Sequence, residues 1–419
     1  MTDVLDLSTR ILDSGVADEP VNRITQQLSE IADGLALVES FSHVLAFRTA
    51  DGLVVFDASS APTAPAVVEA LRRWSTEPVH TLVYTHGHVD HVGGSPAFLA
   101  DAGARGHRRP TFVGHEAVVD RFRRYRETDG WNTAINTRQF GRPLSSPFLS
   151  PEVAEPDVTY RDRHRLEVGG VGFELIHGRG ETDDHTWAWI PDRRAICCGD
   201  FLIWNFPNAG NPQKVQRYPG DWARSLRQMA SMEPELLLPA HGLPISGAAR
   251  IARVLAEVAG ALEDLVERTL AMMNAGTTLD EVVHSVRVPE ETLALPYLRP
   301  LYDEPEFVVR NIWRLYGGWW DANPARLKPP PDGEVAAEVA ALAGGAMALA
   351  DRGRRLAGAG RLRLASQMVE WAAQADPSSA AVHEARAAVY RQRQEEETSL
   401  MARGIFRSAA EESSRVAGR

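Results

Sequence analysis

The segment Thr85-His86-Gly87-His88-Val89-Asp90-His91-Val92-Gly93-Gly94 places three histidines and an aspartate within six residues. Imidazole nitrogen and carboxylate oxygen together are the donor set of zinc and, less commonly, of iron or manganese. Two histidines at i and i+2 can turn both rings onto one ion from an extended stretch. Asp90 and His91 can then face a second ion. The glycines permit the tight backbone that such crowding needs.

The elements that must position this cluster are short and alternating. His43 to Arg48 and Leu53 to Asp57 flank Ala50-Asp51-Gly52, a hairpin pattern. Pro65 to Trp74 has helical spacing, and Val79 to Thr85 reads as a buried strand running straight into the histidine loop. Val171 to His177, Thr186 to Ile190, Ala195 to Asp200 and Leu236 to Ala240 read as strands ending at or near His, Asp or Glu. Strand ends that deliver polar side chains to one sheet edge form an active-site rim.

The character changes after Pro244. Ser246 is the expected N-cap of a long Ala/Leu/Val/Glu helix ending near Asn274-Ala275-Gly276. Helical patterns then cover Leu279 to Val286, Glu306 to Trp320, Glu334 to Asp351, Leu362 to Ala375, Ser378 to Arg393 and Thr398 to Glu412, with Ser378 as a cap and Ser413 to Arg419 expected to fray. The expected organisation is an α+β catalytic domain over 1–248 and an all-α helical domain over 249–419.

Composition narrows the functions. A chain of 419 residues with a net charge of −11 is a poor match for a phosphate backbone or an anionic membrane surface, so neither nucleic acid nor membrane is an expected partner. Cys197 and Cys198 are the two cysteines and are adjacent, so no disulfide framework is expected. With no secretory leader read at the start, the expected location is cytoplasmic.

At these motifs the chain resembles the metallo-β-lactamase superfamily, whose fold is an αββα sandwich. His86, His88, Asp90 and His91 match its H-x-H-x-D-H ligands; Asp57, in Phe56-Asp57-Ala58, matches an early aspartate that supports them. Asp200 matches the carboxylate bridging two metals, and His241, in Pro239-Ala240-His241-Gly242, matches the last histidine ligand. Where the superfamily usually reads Gly-His-Thr-Pro-Gly-His, this chain has Gly180-Glu181-Thr182-Asp183-Asp184-His185. Glu181 at the ligand position is similar to the alkylsulfatase branch, as is the nineteen-position step to Asp200. His185 or His177 is the alternative ligand there. The run Val309-Arg310-Asn311-Ile312 through Tyr316-Gly317-Gly318-Trp319-Trp320-Asp321 to Leu327 resembles the alkylsulfatase dimerisation domain, without the sterol-carrier-like domain found in many such enzymes.

The resemblance implies two zinc ions per chain. His86, His88 and Glu181 would hold one, Asp90, His91 and His241 the other, and Asp200 would lie between, with a metal-bridging hydroxide as nucleophile. Asp90, Asp200 and His185 are the candidate catalytic residues. The implied substrate is an alkyl sulfate or similar anionic ester. Departures are the Asp at 200 where the branch usually has Glu, and the absence of a downstream Leu-Arg-Gly-Ala. Candidates for holding the substrate are Asn136, Arg138 and Gln139 in a polar run read as a loop, with Asn205 and Lys214 nearer the bridging carboxylate; Arg217 is a second candidate cation. A lactone, thioester, phosphoester or amide substrate is the alternative, and an iron redox enzyme a further one. The aromatic stretch Phe307 to Trp320 must pack internally or against a second subunit, and a homodimer is expected.

Overall fold

The computed structural model describes residues 3–141 and 147–418. The chain divides into two compact units. The first comprises Met1–Asn132, Ser145–Thr277 and Glu281–Gly317; the second comprises Thr133–Leu144, Thr278–Asp280 and Gly318–Arg419. The units therefore part at about Gly317, not at 248, because the long helix Ala248–Asn274 packs on the helix Pro219–Ser231 and on the second sheet.

Two sheets form the heart of the first unit. Sheet one contains β1 (Leu28–Ala32), β2 (Leu35–Val38), β3 (Val44–Thr49), β4 (Gly52–Phe56), β5 (Val79–Val83), β6 (Thr111–His115) and β7 (Val158–Tyr160), paired in that order. It is antiparallel through β4 and parallel from β4 to β7. Sheet two contains β8 (Arg163–Val168), β9 (Val171–His177), β10 (Thr186–Ile190), β11 (Ala195–Gly199), β12 (Leu236–Pro239) and β13 (Ile245–Ser246), in spatial order β13-β12-β11-β10-β9-β8. Only β11 and β12 are parallel.

Side-chain alternation along the strands builds two apolar layers. Phe47, Val54 and Phe56 point into a core shared with Phe173, Leu175, Ala188 and Leu238 of sheet two. Ala46, Leu53 and Val55 point the other way, onto Val67, Leu71, Phe98 and Phe122 of the helices Ala64–Trp74, Ser95–Ala104 and Ala117–Glu127. Helices on the outside and two facing sheets within give the expected αββα order.

The second unit is helical among its described residues. Helices Asp332–Ala343, Ala346–Gly358, Leu362–Ala375, Ala380–Glu396 and Leu400–Val416 pack successively around small apolar cores. The single helix expected over Glu334 to Asp351 is broken at Gly344 and Gly345, whose φ values of 91° and 112° lie outside helical space. The last helix continues to Val416, through residues expected to fray. Two caps also differ. Ser246 lies in β13 and Gly247 starts the long helix, while Ser379 rather than Ser378 accepts from Val382 N. No single described helix is long and apolar enough to cross a membrane; one bent pair, Asp332–Ala343 with Ala346–Gly358, passes only jointly.

Candidate metal centre

The two parallel strand pairs set the site. β4 and β5 end at Phe56 and Val83, and the chain continues into Asp57 and into Thr85-His86. β11 and β12 end at Gly199 and Pro239, just before Asp200 and His241. β10 runs antiparallel to β11, so the 178–185 loop feeding β10 opens at the same edge. Both sheets thus deliver donors to one rim.

There the donors form two groups: His86, His88, Glu181 and Asp200, and Asp90, His91 and His241. Asp200 Oδ2 is 3.8 Å from His86 Nε2, while Oδ1 is 3.4 Å from His91 Nε2 and 3.6 Å from His241 Nε2. The carboxylate therefore spans both groups. Glu181 Oε1 is 3.7 Å from His88 Nδ1, and Asp90 Oδ2 is 3.4 Å from His241 Nε2. His91 Nε2 and Asp200 Oδ1 are buried with no hydrogen-bond partner, which fits atoms whose partner is a metal ion.

The electrostatics agree. Burial favours a neutral His91, but Asp200, Asp57 and Asp90 beside it raise its pKa well above the usual histidine value. Burial is the main force pushing Glu181 up to about 7; nearby Asp200 adds to this and Arg217 opposes it. Carboxylates gathered out of water create a field that a cation relieves.

Surrounding residues hold the donors. Asp57 Oδ2 accepts from His91 Nδ1 at 2.8 Å, leaving Nε2 to face inward. Asp57 also accepts from Thr85 N at 2.7 Å and Thr85 Oγ1 at 2.8 Å, from a backbone with φ of 60°. His43 donates through Nε2 to Gly242 O at 2.8 Å, bracing the turn that carries His241. Asp184 Oδ2 accepts from Gly87 N at 2.9 Å and from Arg121 Nε at 2.8 Å, so a buried ion pair anchors the loop between His86 and His88.

Gly242 has φ of 91°, and a Cβ there would lie 2.3 Å from Trp204 Cδ1. Gly242→Ala is expected to cost about 1–3 kcal/mol and to weaken metal binding through His241. Urea unfolding and metal content of the purified variant measure the two effects.

Comparison with known proteins now bears directly on this rim. The metallo-beta-lactamase superfamily model matches residues 37–241, and the alkyl sulfatase dimerisation model matches residues 278–415. The chain joins a metallo-β-lactamase superfamily domain to an alkyl sulfatase dimerisation domain. A linear primary-alkylsulfatase of Pseudomonas sp. is 27% identical over 316 residues, covering 70% of this chain and 59% of that protein. An (R)-specific secondary-alkylsulfatase of Pseudomonas sp. is 25% identical over 357 residues, covering 78% and 53%. The solved structure of the stereoselective inverting sec-alkylsulfatase Pisa1 from Pseudomonas sp. shares the fold with a TM-score of 0.82 at 22% identity, over 93% of this chain and 65% of that one. The chain spans 51% to 59% of the length of the curated alkylsulfatases it matches.

Within the metallo-β-lactamase domain, Glu181 and not His185 or His177 joins the donor group. His185 Nε2 accepts from Asp200 N at 3.1 Å, and its ring stacks on Phe201 at 4.4 Å. Burial pushes it down to about 3, so the ring is neutral. His185 stands outside both donor groups and accepts from the Asp200 backbone instead. His177 Nδ1 donates to His185 O, and its ring stacks on His115.

The substrate candidates divide. The run containing Asn136, Arg138 and Gln139 is the helix Asp129–Phe140, not a loop. All three belong to the second unit, where Gln139 O lies 2.1 Å from a Cβ built on Gly404, so this helix end packs against Leu400–Val416. Asn205 Nδ2 donates to Ile203 O at 3.3 Å. Trp204 and Phe206, on either side of Asn205, are fully buried core. Lys214 is drawn down to about 7 chiefly by burial and secondly by Arg217, while Glu181 and Asp90 raise it; its ammonium therefore senses both metal groups. Arg217 NH1 sits 2.6 Å from Glu181 Oε1 and donates to Asn208 O at 2.9 Å. Asn208 Nδ2 donates to the same Glu181 oxygen at 2.5 Å. Sequence reading missed Asn208, His43, Asp184 and Arg121 as parts of the site; for Asp184 the signal was its place in the Glu181–His185 segment.

Proposed function

We propose that the chain is a binuclear zinc hydrolase of sulfate esters, with an alkyl sulfate as its substrate. The observation that carries this is Asp200 spanning two donor groups, one of which contains Glu181 in place of a histidine. The names of the matched relatives support the substrate class. When bound, a zinc pair lowers the pKa of water to about 7 and so supplies a nucleophile at neutral pH. Asp57 and His43 hold the histidine donors in orientation, and His185 keeps Asp200 in place. Arg217 is committed to Glu181; Lys214, in its protonated form, is the cation proposed to attract the sulfate.

Metal analysis and sulfate release from short and long alkyl sulfates test the reading, alongside lactone, thioester and phosphoester panels. Expected is one zinc for each of the two donor groups, with sulfate release; Glu181→Ala is expected to lose one zinc and the activity. Turnover confined to another panel would overturn the substrate.

A homodimer is part of the proposal. Trp319 is 71% and Tyr316 55% exposed, both within the region matching the dimerisation model. The buried, unbridged Cys197 and Cys198 support a cytoplasmic location.

A further inference from the structure

Beyond the metallo-β-lactamase match, a helix packs on the loop 209–217, whose Arg217 reaches Glu181. The helix Pro305–Gly317 carries Asn311, whose side chain is buried. Its Nδ2 donates to Ala209 O and to Arg217 O, each at 2.9 Å. Its Oδ1 accepts from Gln216 Nε2 and from Arg314 NH2, each at 3.0 Å. One amide thus ties together both ends of the loop 209–217. Just before the helix, the buried Asp303 grips the same loop: Oδ2 accepts from Gly210 N at 2.6 Å and from Asn211 N at 3.1 Å. A Cβ on Gly210 would lie 2.3 Å from Val308 N, so the loop lies directly on the first turn of the helix.

This loop carries Arg217 and follows directly on Asn208, and the two together hold Glu181. Asn208 and Arg217 both donate to Glu181 Oε1, at 2.5 and 2.6 Å, and Arg217 also closes onto Asn208 O. A carboxylate held at one oxygen by two donors has its remaining orientation set by where those donors stand. Those donors stand where Asn311 and Asp303 place them.

We infer that Asn311, with Asp303, is a positioning residue for the metal group containing Glu181, so that the region matched as a dimerisation domain also builds the metal centre. The inference rests on the proposed reading of Glu181 as a ligand. It predicts selective damage: Asn208 and Arg217, which this loop directs, bond Glu181, whereas Asp90 feels the loop through the charge of Lys214.

The test measures zinc affinity of the full-length chain by chelator competition, with activity as a second readout. Asn311→Ala is expected to weaken one of the two zinc sites by about 10–100-fold and leave the other unchanged. Asn311→Asp keeps the volume and the acceptor facing Arg314 but loses both donors to the loop. It is expected to show the same selective loss, and it serves if the alanine variant folds poorly. Glu181→Gln supplies the cycle: in that background Asn311→Ala is expected to add little, since its effect passes through Glu181. Equal weakening of both sites, or full additivity with Glu181→Gln, would overturn the inference as a general loss of stability. If Glu181→Gln weakens a site and neither Asn311 variant does, only the inference falls. If Glu181→Gln weakens no site, the ligand reading of Glu181 falls and the inference with it.

Discussion

Asp200→Ala is expected to abolish hydrolysis, lowering kcat/KM by about 1,000-fold or more, and to strip metal from both groups. The reason is geometric. Among the described residues, Asp200 is the carboxylate whose two oxygens reach separate groups, Oδ2 toward His86 and Oδ1 toward His91 and His241. Removing it also withdraws negative charge facing His91, while Asp57 and Asp90 remain. The surviving donors would compete poorly for a second ion. Asp200→Asn separates shape from charge: it keeps the acceptor geometry on one side only, and its metal content is expected to fall between those of Asp200→Ala and the parent. Metal analysis and steady-state kinetics on the same samples decide the matter. An Asp200→Ala variant that retained both metals and its activity would remove Asp200 from the bridging position.

The second large effect is on stability. Asp184→Ala is expected to cost about 3–5 kcal/mol, because it leaves the buried Arg121 guanidinium without its innermost partner. Arg121 is 2% exposed and Asp184 0%. The same substitution frees Gly87 N, so the loop between His86 and His88 loses its anchor and metal affinity falls along with stability. Asp184→Asn keeps an acceptor for Gly87 N and is expected to cost less. Burial alone would raise the Asp184 pKa, but Arg121 holds it below the ordinary carboxylate value. Its contribution is therefore present above about pH 4 and lost as pH falls through the lower folded value. Urea unfolding across pH reads this directly: the parent's loss of stability in acid is expected to be shallower in Asp184→Asn. Equal unfolding midpoints for Asp184→Ala and the parent would mean that the ion pair anchors nothing.

The donors were legible in the sequence because they are local. His86, His88, Asp90 and His91 sit in one turn after a buried strand, and Asp200 and His241 each follow an apolar strand. Short apolar runs marked the strands, while the sandwich was implied by the resemblance of the motifs to the metallo-β-lactamase superfamily. The contest between Glu181 and His185 was open in sequence, since both occupy one loop. Tertiary structure separates them: His185 is turned by stacking on Phe201 and by the Asp200 backbone, while Glu181 is held beside the donors by Arg217 and Asn208. The polar run holding Asn136, Arg138 and Gln139 read as a loop because its composition is polar. It is a helix that packs on Gly404, a contact across more than two hundred residues that no local pattern records. The break at 248 looked like a domain boundary because the strands stop there. Yet the helix that follows, Ala248–Asn274, is apolar toward the sandwich, and the chain, apart from Thr278–Asp280, stays in that unit to Gly317. Local spacing determines which residues can be ligands and where strands lie. Which side chains orient those ligands depends on hydrogen bonds between segments far apart in the chain, such as Arg121 with Asp184 and Asn311 with Arg217, and these exist only once the chain has folded.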